Sequence, residues 1–111
     1  MRNEGTLRAL GLCAKAGKLI TGTPLICEAL KAKKGRPGGV LLVLAASDNA
    51  ENTEKRLSDR CAYYGVRLVC TEFTGIELSR ALGKSSRVAA VAVTEENLCH
   101  LVEKTLQDPV T

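Results

Sequence analysis

Val40-Leu41-Leu42-Val43-Leu44-Ala45 decides the fold. Six apolar residues in succession lack the alternation of a strand with one wet face, and they are too few for a surface helix. Gly38-Gly39 precedes the run and Ser47-Asp48-Asn49 follows it, so it reads as a strand covered on both faces. Val88-Ala89-Ala90-Val91-Ala92-Val93 repeats the pattern later in the chain, and Arg67-Leu68-Val69-Cys70 is a shorter extended piece between the two. Strands buried on two sides require helices on two sides.

The flanking segments supply those helices. From about Glu4 to Ala16, Leu7, Leu10 and Ala14 recur at helical spacing, Gly11 permits close approach, and Gly17 is a stop. After the short extended piece Lys18-Leu19-Ile20-Thr21, Gly22-Thr23-Pro24 opens a second helix, with Thr23 as cap and Pro24 in the first turn. Its buried stripe is expected at Leu25, Ile26, Ala29 and Leu30, with Glu28, Lys31 and Lys34 turned outward, and Gly35–Gly39 ends it as a loop. Ser47-Asp48-Asn49 offers caps for a third helix reaching Tyr64, with Thr53, Leu57, Cys61 and Tyr64 inward and Gly65 as its stop. A short helix follows over Gly75 to Leu82, closed by Gly83. Thr94-Glu95-Glu96-Asn97 starts a last one carrying Leu98, Leu101, Val102 and Leu106. Helices and buried strands therefore alternate along the chain. That order predicts an α/β fold, a three-layer α/β/α sandwich around a small mixed four-stranded sheet. Residues 1–107 form its single domain and 108–111 a tail.

At 111 residues, 45% of them apolar and 25% charged, the composition is that of one globular domain. With one Phe, two Tyr and no Trp, the core must be built from Leu, Val, Ala and Ile, and a broad base-stacking platform is ruled against. The net charge of +4 is unevenly spread. Residues 1–39 hold eight basic side chains and two acids, whereas residues 40–111 hold eight basic and ten acidic ones. A basic excess at one end of the chain suits a polyanion. The five cysteines, Cys13, Cys27, Cys61, Cys70 and Cys99, are odd in number and contain no C-x-x-C. With no signal-type apolar segment and no run approaching a membrane span, they read as reduced, buried thiols of a cytoplasmic protein.

Catalytic chemistry finds no support in the pattern. The glycine-rich segment Gly35–Gly39 follows a helix and leads into a strand, the reverse of a dinucleotide-binding turn, and no G-x-x-x-x-G-K-[ST] is present. The single histidine, His100, is tied to no cysteine, the cysteine intervals do not match zinc spacing, and Glu95-Glu96 suits the first turn of a helix. The expectation is a protein with no catalytic residue, no metal and no cofactor. Binding remains. The start of the second helix combines free N–H groups and a positive dipole end with Lys18 before it and Lys31 and Lys34 further along.

Four blocks, in this order and spacing, resemble the kink-turn RNA-binding ribosomal protein family, whose members include archaeal and eukaryotic ribosomal and small-nucleolar-RNP proteins. They are Ala16–Thr23, the apolar strand, Ala46-Ser47-Asp48, and Thr74–Gly83. Ala50–Leu57 and Cys61–Val66 are similar to the bacterial YlxQ-like branch, and the resemblance runs from about Leu7 to Leu106. It implies an α/β/α sandwich that grips bent RNA with the start of the second helix and the loop before the fourth. Carried over by position, Lys18 and Gly22 match the family pattern, Thr23 falls at a variable place within it, and Thr74 stands where Ser is usual, next to Phe73. Where the family presents Asn, Glu and then Lys to read sheared G·A pairs, this chain has Pro24, Leu25 and Glu28.

Two readings follow. In the first, the chain is a monomeric, non-membrane protein that binds structured RNA in the ribosome or its assembly. Lys18 and Lys31 would meet phosphate, Gly22 would permit close approach, Thr23 and Thr74 would hydrogen-bond, and Phe73 would stack. In the second, motivated by Pro24, Leu25 and Glu28, it is a protein–protein adaptor that kept the fold and lost kink-turn recognition.

Overall fold

The computed structural model describes residues 4–32 and 38–107. Helix α1 (Glu4–Lys15) leads into β1 (Leu19–Thr21) and α2 (Thr23–Ala32). Then come β2 (Leu42–Ala45), α3 (Glu51–Tyr64), β3 (Arg67–Cys70), α4 (Gly75–Leu82), β4 (Ala90–Val93) and α5 (Glu96–Gln107). The strands form one sheet in the order β1-β4-β2-β3. β4 pairs antiparallel with both β1 and β2, and β2 pairs parallel with β3. The expected α/β/α sandwich around a mixed four-stranded sheet is the architecture found.

The two faces of the sheet carry separate cores. Leu42 and Leu44 of β2 and Val91 and Val93 of β4 point to one side, where Leu10 and Cys13 of α1, Leu78 of α4, and Cys99 and Val102 of α5 cover them. Val43 and Ala45 of β2 and Ala90 and Ala92 of β4 point to the other, under Ile26 and Leu30 of α2 and Leu57 and Cys61 of α3. This is why both central strands are buried at every position and read as unbroken apolar runs. They are shorter than those runs. Leu41 is exposed and Ala89 half-buried, so each strand pairs over four residues. The edge strand β3 is exposed at both its ends, Arg67 and Cys70.

Several local expectations are corrected. Thr23 does not cap α2: it is the first helical residue, and Gly22 before it offers the carbonyl that accepts from the Ile26 N–H (3.0 Å). The buried face of α2 is Thr23, Ile26, Cys27 and Leu30, and Leu25 is 59% exposed. The phase of the helix is set by docking on β1 and β4, which admits one stripe where the sequence offered two overlapping ones. Along α1 the buried positions are Thr6, Ala9, Leu10 and Cys13, with Leu7 and Ala14 at the margin. Helix α3 begins after Ala50 without a side-chain cap, so Ser47, Asp48 and Asn49 do not cap it. Cys70 is exposed, whereas the other four thiols are buried and all five are free. The loop expected at Gly35–Gly39 lies largely outside the described residues, as do Lys34 and the 108–111 tail.

Candidate nucleic-acid interface

Strands β1, β2 and β3 all end at the same edge of the sandwich, where β4 begins. Thr21 and Leu44 both lie opposite Val91, and Ala45 lies between Ala90 and Cys70. The segments leaving these strands are laced together by the backbone. The Gly22 N–H donates to the Ala90 carbonyl (3.0 Å), the Ala46 N–H to Ala89 (2.9 Å), and the Ser47 N–H to Phe73 (2.8 Å). Thr71 donates to the Ala45 carbonyl through both its N–H (3.0 Å) and its hydroxyl (2.8 Å). The edge is therefore a fixed platform made of loops that a rigid sheet positions.

Two helices start from this platform. Helix α2 rises from Gly22, whose φ of +96° lies where a side chain is strained. Pro24 has no N–H, which leaves the Thr23 and Leu25 amides outside the helix's own ladder. Helix α4 rises from Thr74 with a capping box. The Thr74 hydroxyl oxygen accepts from the Glu77 N–H (3.1 Å), and the Glu77 carboxylate accepts from the Thr74 N–H (3.0 Å).

Against the α4 start stands Arg87, in the segment that connects α4 to β4. Its Nη2 donates to Asp48 Oδ1 (2.7 Å) and Asn49 Oδ1 (2.9 Å). Asp48 Oδ1 also accepts from the Gly75 N–H (2.9 Å), Asn49 Nδ2 donates to the Ala89 carbonyl (2.9 Å), and the Val88 N–H donates to the Gly75 carbonyl (3.1 Å). The Gly75 amide and the Arg87 guanidinium together hold the Asp48 carboxyl below its ordinary pKa. Gly75 is needed for this packing: a Cβ there would stand 2.4 Å from Arg87 Cγ. Both of these Arg87 bonds use one nitrogen, so the rest of its planar donor fork is available to an incoming anion. Lys84, Ser85 and Ser86, just before it, are exposed.

The site residues expected from sequence fare unequally. Gly22 and Thr74 stand on the platform, although the Gly22 N–H is already used by Ala90. Thr23 sits beside them but is 9% exposed, and its hydroxyl is buried without a hydrogen-bond partner among the described residues. Phe73 is 4% exposed and belongs to the core beneath α1, α4 and α5, so its ring is not presented for stacking. Lys18 lies at the far end of β1, where its carbonyl accepts from the Thr94 N–H (3.1 Å) and hydroxyl (3.1 Å). At about 3.3 Å per residue that is roughly 13 Å of chain from Gly22. Lys31, exposed near the end of α2, is about 12 Å along the helix from Thr23 at 1.5 Å per residue. The sequence reading missed the Asp48–Asn49–Arg87 cluster. The only signal was the unassigned run Gly83-Lys84-Ser85-Ser86-Arg87, basic and polar between a helix stop and a buried strand.

Nothing here resembles a reactive centre. Burial pushes the Cys61 and Cys99 thiols up to about 11, with Cys27 beside the first and Glu103 beside the second adding to the effect. Among the described residues no cluster of three metal-ligating side chains forms.

No protein-family model matches the chain. Two curated proteins do. The RNA-binding protein YlxQ of Enterococcus faecium is 34% identical over 94 residues, covering 80% of this chain and 84% of its own length. Its namesake from Bacillus subtilis is 33% identical over 91 residues, covering 82% and 84%. The chain belongs to the YlxQ family. Neither relative is named as an enzyme. Among solved structures, a Bacillus halodurans protein of unknown function superposes with a TM-score of 0.80 at 28% identity, covering 93% of this chain and 97% of its own. The Giardia lamblia 15.5kD RNA binding protein shares the fold with a TM-score of 0.73 at 20% identity, covering 92% and 82%. Membership of the YlxQ family and the platform at the sheet edge are thus two independent observations. No described helix is long and apolar enough to cross a membrane.

Proposed function

We propose that this YlxQ-family chain binds structured RNA at the sheet edge, as a cytoplasmic monomer acting in the ribosome or its assembly. The observation that carries the reading is Arg87, a cation with free donors fixed over the start of α4 by Asp48 and Asn49, next to the Thr74 cap. Phosphate contacts there would orient a folded RNA, and the names of the two relatives support RNA as the ligand. Exposed Pro24, Leu25 and Glu28 occupy the outer face of α2 next to the platform, so recognition of a standard kink-turn is weak and shape and phosphate contacts dominate.

Filter binding of structured fragments of bacterial ribosomal RNA across a salt series tests this. Affinity falls steeply with salt, and Arg87→Ala flattens the log–log slope by about 0.7 to 0.9 unit. Absence of binding at low salt overturns the proposal. A protein–protein adaptor is the second reading, favoured by the 59% exposure of Leu25. It requires a protein partner retained through nuclease and high salt and lost on Leu25→Ser.

A further inference from the structure

Three aromatic side chains are available to this chain, and only one is presented to solvent. Phe73 is in the core and Tyr64 is half-buried against the α2–α3 cluster, but Tyr63 is 77% exposed. Its ring meets Tyr64 edge-on, with centroids 4.9 Å apart and planes at 86°. That contact engages one side of the Tyr63 ring, and the rest of the ring stays open to solvent.

The surroundings of Tyr63 are cationic. Arg56 and Arg60 precede it by seven and three residues, which at 100° per residue places all three on one flank of α3. Both arginines are exposed, and neither takes part in the ion pairs Arg67–Glu103 and Arg87–Asp48. The acids Glu51 and Glu54 lie on the opposite flank, where they line the cleft between α3 and β3 with Ser58 and Cys70. Asp59 alone adjoins the arginine flank. Helix α3 starts two residues after Asn49, so Tyr63, near its other end, lies about 20 Å from the interface at 1.5 Å per residue.

We propose that Arg56, Arg60 and Tyr63 form a second RNA contact, which takes up a single-stranded segment leaving the folded element held at the sheet edge. The inference rests on the RNA-binding reading above. An exposed aromatic ring with arginines one and two turns away is the combination single strands use: the ring stacks on a base of any identity, and the cations track the phosphates.

The test compares two transcripts, a ribosomal RNA hairpin that the chain binds and the same hairpin with a tail of about ten uridines, a length within the usual span of a single-strand site. The tail tightens binding about tenfold, as expected for one stacked base with its phosphate contacts. Tyr63→Ala abolishes that gain and Tyr63→Trp restores it. Arg56→Ala and Arg60→Ala each lower the salt slope by about 0.7 unit for the tailed RNA alone. A tail that adds nothing while the hairpin still binds overturns the inference and leaves the primary interface standing. So does a gain that survives Tyr63→Ala. If no ribosomal RNA fragment binds, both proposals fall together.

Discussion

Replacing Gly75 with alanine separates the geometry of the interface from the stability of the fold. The new Cβ would lie 2.4 Å from Arg87 Cγ, 2.7 Å from Nε and 2.9 Å from Cζ, so the Arg87 side chain must leave. The nearest clash is at Cγ, close to the backbone, so relief takes a change of χ1 or χ2 and not a shift of the guanidinium alone. A changed rotamer breaks the bonds to Asp48 and Asn49. The fold should hardly register the loss. Arg87 and Asp48 are 37% and 46% exposed, so their pairing is screened by solvent. Alanine in place of glycine in a helix contributes about 0.5–1 kcal/mol in the favourable direction. The melting temperature is expected to stay within a few degrees of the parent. RNA affinity should fall about tenfold, since a hydrogen bond to a charged group contributes roughly 1.5 kcal/mol or more. Arg87→Ala made in the Gly75→Ala background should then cost almost nothing further. Full additivity of the two substitutions in a double-mutant cycle, or wild-type affinity in Gly75→Ala, would refute the assignment of Arg87.

Phe73→Ala should destabilise the protein by about 3–5 kcal/mol in urea unfolding, whereas Phe73→Leu should keep most of the stability and the full RNA affinity, because the ring is core and not contact. Mass spectrometry after brief iodoacetamide treatment near pH 8 should find one modified thiol, Cys70, with Cys61 and Cys99 protected by burial and by values near 11. The Asp48 carboxyl is lowered in the folded state, so its contribution is present above the ordinary carboxylate value and fades only as pH falls through the lower, folded one. The Gly75 amide resonance should therefore stay unperturbed on acidification to about pH 4, and a shift centred above that would contradict the bond. Combining Pro24→Asn, Leu25→Glu and Glu28→Lys should raise affinity for a kink-turn hairpin about a hundredfold, given roughly 1–3 kcal/mol per restored polar contact. No gain would mean that the resemblance misplaces the recognition helix.

What could be read in the chain was what neighbours in sequence determine. Arg67–Cys70 and Gly75–Leu82 emerge with the expected bounds because a turn residue brackets each, and in α4 the cap Thr74 and the stop Gly83 act within a few residues of it. Leu25 was misassigned because 25, 26, 29 and 30 are all apolar or small, and only docking against β1 and β4 chooses among their phases. Phe73 was mistaken for a surface ring because a loop residue is expected outside. Here the loop folds inward, with its carbonyl accepting from Ser47 and its ring in the core. Arg87 meets Asp48 from 39 residues away and Gly75 from 12, and no periodicity announces a contact of that kind.

Strand β4 comes last among the strands in the chain yet sits between β1 and β2. Until it is made, β1 has no hydrogen-bonding neighbour, Gly22 has no acceptor at Ala90, and Asn49 has no carbonyl at Ala89. A nascent chain that stops short of residue 90 therefore lacks its keystone. It would leave the ribosome with two of its three strand pairs unmade and the α2 start unanchored, so ligand capture waits for nearly complete synthesis and arrives in a single cooperative step.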